Sequence, residues 1–151
     1  MANEIQIDYS SGNTLYAVVR NSVGEVWYVA GQVFESWGAG GHDMDDYDIS
    51  LTDKDGSRYV GNFDADIPVG RYSAQVFFQV GANPADGDSL IGSSKIVWSG
   101  VGEVTADKLL ANKAVQNKST GEIKYYDDDG QTVLLTHTPT DTEATITRSP
   151  S

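Results

Sequence analysis

Four carboxylates crowd the end of a Gly-rich stretch, GAGGHDMDDYD, at Asp43, Asp45, Asp46 and Asp48. Oxygen ligands on a loop suit Ca²⁺, which takes about six to eight of them. The EF-hand spacing, with its closing Glu at the twelfth position, is missing. The stretch therefore reads as an acidic loop facing water, and the four acids stand only as weak metal candidates. Asp53-Lys54-Asp55-Gly56 and Asp127-Asp128-Asp129-Gly130 are also rich in oxygen, but Asp-Gly fits the positive φ of a tight turn, and both read as hairpin turns.

The other reactive side chains are sparse. His42 and His137 are the only histidines, and neither sits in a zinc-type pair or beside a nucleophile elbow. With no Cys there is neither disulfide nor thiolate chemistry. A glycosidase would need two carboxylates at a set separation across a cleft, and no pair is singled out. Trp27, Tyr28, Phe34 and Trp37 form the richest aromatic stretch. Trp27 and Trp37 are candidates for stacking on sugars, although large rings more often fill cores and interfaces. The expectation is a non-enzymatic protein with no cofactor.

The elements around these residues read as strands. In Tyr72 to Val80, apolar and polar residues alternate with the period-2 pattern of a half-buried strand. Together with Tyr47–Leu51 and Arg58–Phe63 it reads as a three-stranded meander at the centre of a sandwich. Ile5 and Ile7, TLYAVVR (14–20), EVWYVA (25–30), VFESW (33–37) and SLIGSSKIVW (89–98) supply further short strands. Seven or so strands at this spacing predict an all-β chain with an immunoglobulin-like β-sandwich over 1–100, lacking the usual Cys pair. Residues 101–118 read as a linker and a short helix capped by Thr105, with Leu109, Leu110, Ala114 and Val115 on its apolar side. Residues 119–151 read as a small three-stranded β-meander arm, GEIKYYD, TVLLTHT and EATITR. So few large apolar residues cannot close a core alone. The expected contact residues of the arm are Leu109, Leu110, Ile123, Tyr125, Leu135 and Ile146.

Composition sets the outer limits. The 151 residues are 39% hydrophobic, with 16 Gly and 8 Tyr, which suits a β fold with many turns. A formal net charge of −12 repels nucleic acid. No apolar run is long enough to span a bilayer, and MANEIQIDY lacks the run of a signal peptide, so a soluble protein without membrane contact is expected.

The segment LLANKAVQNKSTGEIKYYDDDGQTVLLTHTPTDTEATITR resembles a short module of tailed-bacteriophage virion proteins. The resemblance rests on Asn112-Lys113, Thr120-Gly121, Tyr126 to Gly130, and Leu134 to Thr136. SGNTLYAVVRN, YDISLTDKDGSRYVGNF and PVGRYSAQVF are similar to the sandwich domains of phage tail and baseplate proteins. The resemblance implies a structural protein of the virion, in the tail, baseplate, neck or capsid decoration. Such a protein is made in the host cytoplasm and works by protein–protein assembly with other virion proteins and copies of itself, as a homo-oligomer. The alternative is a carbohydrate-binding or host-adhesion module of a phage fibre.

Overall fold

Leu15, Tyr16, Ala17, Val18 and Val19 are all buried in the computed structural model, which describes residues 3–141 and 146–150. Successive strand residues point to opposite faces. A strand buried without a break therefore lies in a sheet that is covered on both sides.

That sheet belongs to the first of two compact units, 1–96 and 97–151, of an all-β fold. The elements are β1 (Ile5–Asp8), β2 (Leu15–Arg20), β3 (Val26–Tyr28), β4 (Val33–Glu35), β5 (Ile49–Ser50), β6 (Thr52–Asp53), β7 (Arg58–Gly61), β8 (Gly70–Phe78) and β9 (Ser89–Trp98). Six of them form one sheet in the order β4-β3-β2-β8-β9, with β5 added on β2; the other three form a second sheet, β1-β7-β6.

Register sorts the side chains of the larger sheet. Leu15, Ala17 and Val19 pair with Phe78, Val76 and Ala74, and Trp27 pairs with Phe34, all on one face. This face meets the smaller sheet and its flanks: the rings of Phe63 and Tyr72 lie 5.7 Å apart, and those of Tyr9 and Phe78 6.0 Å. A Cβ on Gly92 of β9 would lie 2.8 Å from Ile7 Cδ1 of β1, so the tip of Ile7 packs directly over the bare backbone there. The opposite face carries Tyr16, Val18, Val26, Tyr28 and Phe77, and Met44 and Tyr47 close over it. The stretch expected to be an acidic loop facing water thus supplies a core residue, Met44.

The expected central meander is not one sheet. Ile49-Ser50 pairs with β2, whereas Thr52-Asp53 pairs with β7, so the chain changes sheets at Leu51, whose N–H is held by Leu15 O at 2.9 Å. The second expected turn, 67–70, leads from the smaller sheet to the larger one; Ile67 is buried there, and Asp64 accepts the indole N–H of Trp27 at 2.9 Å. The hairpin at 53–58 forms as expected, with Asp55, Gly56 and Ser57 all at positive φ.

In the second unit, Trp98 and Glu103 bridge and Ser99 N–H reaches Gly102 O at 3.0 Å, so residues read as a linker close a tight turn. The helix α1 (Ala106–Ala111) starts at Thr105, whose hydroxyl accepts from Lys108 N–H. It ends earlier than expected. Asn112 is extended, its amide donates to Asp128 Oδ1 at 2.8 Å, and Lys113 O accepts Tyr126 N–H at 3.0 Å. Ala114 and Val115 therefore lie not on a helix but in β10 (Ala114–Gln116). With β11 (Ile123–Tyr126), β12 (Val133–Asp141) and β13 (Ile146–Pro150) it makes a four-stranded antiparallel sheet, one strand more than expected. The start of the expected strand 143–148 lies outside the described residues. No described helix is long and apolar enough to cross a membrane.

If Met44 is core, Met44→Ala should lower unfolding stability by about 2–5 kcal/mol in denaturant titrations. Val69→Ala, at a residue 70% exposed, should change it by no more than about 0.5 kcal/mol. Equal small effects would return 38–47 to a surface loop.

Candidate functional site

Val26 pairs with Glu35 and with Arg20, which places the Glu35 carboxylate and the Arg20 guanidinium on the face that Met44 and Tyr47 cover. The chain then leaves β4, turns at Ala39–Gly41 with Gly40 and Gly41 at positive φ, makes one 3-10 turn at Met44–Asp46, and returns as β5. This excursion is fastened to Glu35. His42 Nδ1 lies 2.7 Å from Glu35 Oε1, and the Tyr47 hydroxyl donates to the same oxygen at 2.9 Å while accepting Gly38 N–H at 3.0 Å. The His42 ring stacks on Tyr28 at 3.9 Å and presents an edge to Tyr47. Outside these, Trp37 packs against Tyr47 at 5.0 Å, and the Arg20 guanidinium sits over its ring at 4.9 Å.

The electrostatics follow from this geometry. The His42 hydrogen bond, helped by Tyr47, holds the Glu35 carboxyl below the usual carboxylate range against the opposing effect of burial. Burial pushes the Tyr47 phenol up, and the hydrogen bond to Glu35 and its charge add to the shift. A carboxylate that orients a histidine is half of a general-base arrangement. The bonds of Glu35 to His42 and Tyr47, and of Tyr47 to Gly38, clamp the 36–47 excursion to β4.

Two of the four acids read as metal candidates, Asp43 and Asp46, are committed to the backbone. Asp43, Asp45 and Asp46 bring carboxylate oxygens within 4.8 Å of one another. Asp43 caps the 3-10 turn at Met44–Asp46, accepting from Asp45 N–H, and Asp46 Oδ2 takes Asp43 N–H at 3.0 Å, a complete capping box. The hydrogen bond with Asp43 and that residue's charge push the Asp45 carboxyl up. Asp48 is raised by burial and stands outside the cluster, near the Ser50 hydroxyl.

Other acids close loops in the same way. Asp53 accepts from Gly12 N–H at 2.7 Å and from Asp55 N–H, the Ser11 hydroxyl and the Tyr59 hydroxyl. Asp88 accepts from Val80 N–H, Ala85 N–H and the buried Tyr16 hydroxyl. Asp129 ties Gln131 and Thr132 into the 127–132 turn, and these bonds, that from the Thr132 hydroxyl first, lower its pKa to about 2.

The two tryptophans part company. Trp27 is 1% exposed, packed on Phe34 and bonded to Asp64, and offers no ring face to a sugar. Trp37 is 39% exposed, with Arg20 over its ring. The expected contact residues of the second unit fall as follows. Ile123, Tyr125 and Leu135 are half-buried and share a face, since Tyr125 pairs with Leu135 and Ile123 with His137. Leu109 is half-buried and Leu110 is 87% exposed. The backbone of Ile146 pairs with Asp141, and its side chain lies outside the described residues. Sequence reading missed Glu35, Tyr47 and Met44 as partners of His42 and the acidic stretch. The signal that could have found them is a Met and a Tyr set among acids at 43–48.

The pH dependence of the clamp has a definite sign. Because the folded pKa of Glu35 is lowered, its stabilisation is present above the ordinary Glu value and lost as pH falls through the folded one. Near-UV circular dichroism of the Trp37 and Tyr47 surroundings should hold down to about pH 4.3, the unperturbed Glu value, and fade below it. Glu35→Gln should weaken that signal already at neutral pH and flatten its acid limb; an unchanged acid limb would remove Glu35 from the role. The chain matches no protein-family model, no curated protein and no solved structure.

Proposed function

We propose that the chain is a non-enzymatic structural protein of a bacteriophage particle that works through protein–protein assembly by its second unit. The observation that carries this reading is the thin core of 97–140. Among its described residues Trp98 and Leu134 are the buried large side chains, while Leu110 is 87% exposed and all three residues of β10 are exposed. A sheet of this size gains little from its own core, and apolar groups left in water favour a partner. One face has some cover of its own, since a Cβ on Gly102 would meet Leu134 Cδ2 at 2.9 Å and Lys108 Nζ binds Asp127 at 2.9 Å. The likeness of 109–148 to phage virion modules supports the particle setting. The sugar-binding reading is left with Trp37 alone, already engaged by Arg20.

Antibodies against the purified chain should label intact particles, by immuno-electron microscopy, in lysates of the host that carries its gene. A chain found only in the soluble fraction would contradict the proposal. Leu109→Asp with Leu110→Asp should abolish incorporation while the far-UV spectrum is kept, because a charge set into an apolar contact loses its hydration without compensation. Normal incorporation of that variant would take the contact away from Leu109 and Leu110.

A further inference from the structure

β10 is an edge strand whose outer side is unpaired among the described residues. The hydrogen bonds of Asn117 N–H to Glu122 O and of Tyr126 N–H to Lys113 O fix its parity. In that register Val115 faces Lys124 and exchanges bonds with β11, while Ala114 and Gln116 turn their N–H and C=O groups outward. Free main-chain groups on an edge are a template for another strand.

We infer that the strand added there is β10 of a second copy, paired antiparallel about a two-fold axis through Val115. This rests on the assembly reading and names its partner. The sequence Asn112 to Lys118, NKAVQNK, complements itself in this register. Ala114 stands opposite Gln116, so the outward groups of both residues bond to their counterparts. Lys113 stands opposite Asn117, and Lys118 opposite Asn112, so no like charges oppose each other. Val115 meets Val115 in the non-hydrogen-bonded position, where side chains come closest.

Charge favours this stretch over others. Each copy carries −12, which pushes copies apart, whereas Asn112 to Lys118 contains no acid. Lys113 is also turned onto its own copy, bonded to Gly130 O at 3.0 Å and over the Tyr126 ring at 4.3 Å. Val115, 44% exposed, is an apolar side chain on a strand exposed at every residue. Pairing converts two four-stranded sheets into one of eight and uses up both β10 edges, a closed isologous contact.

The test uses the full chain and its mass in solution, by sedimentation over a concentration series. Wild type should reach a dimer. Val115→Lys and Val115→Glu each place like charges opposite one another and should weaken the dimer at least about tenfold. An equimolar mixture of the two variants should dimerise again, because Lys then opposes Glu. Far-UV spectra check that each variant is folded, as an exposed site allows. Wild type that stays monomeric, single variants that dimerise like wild type, or a mixture that does not recover would each overturn the pairing. An oligomer indifferent to Val115 but broken by Leu109→Asp with Leu110→Asp would overturn it too, while leaving the assembly reading in place.

Discussion

The first unit depends on one constraint: β2 is buried along both faces and so needs two covers. The smaller sheet and the turn after it supply one, through Ile5, Tyr59, Phe63 and Ile67. The second cover is not a sheet but the 36–47 excursion, and a segment this irregular must satisfy its own backbone. It does so with acids and Gly: the capping box of Asp43 and Asp46, the bond of Gly38 N–H to Tyr47, and the grip of Glu35 on His42 and Tyr47. The loss of Glu35 would therefore be felt in the packing of Met44 and Tyr47 as well as in the hydrogen bond to His42.

The same logic explains how so acidic a chain holds together. Asp53, Asp88 and Asp129 each accept several N–H or O–H donors and have lowered pKa values, because hydrogen bonds to a carboxylate favour its charged form. Their contributions are present above the ordinary carboxylate range and are lost as pH falls below it. Asp45 and Asp48, both raised, act in the opposite sense. Negative charge that looks like a ligand set in the sequence is largely turn and cap chemistry in the fold.

What was legible in the sequence follows from local rules. Alternation placed β8, with Tyr72, Ala74 and Val76 buried, and Thr105 marked the start of α1. The change of sheets at Leu51 was not legible, because Ile49 and Thr52 read as one continuous strand and pairing partners are a long-range choice. Ala114 and Val115 were misread for a related reason: helical propensity there is overridden by Asn112 and Lys113 bonding across to Tyr126 and Asp128. The burial of Trp27 could not be told from the exposure of Trp37 by residue type alone.

The central claim is that the second unit is completed by another chain, with β10 as the joining edge. Residue-resolved amide hydrogen exchange tests it most directly. Val115 N–H, bonded inward to β11, should be protected in dilute and in concentrated protein alike. Ala114 and Gln116 N–H should exchange freely when dilute and become protected as the concentration rises. Protection of Ala114 and Gln116 that does not change with concentration would contradict the account.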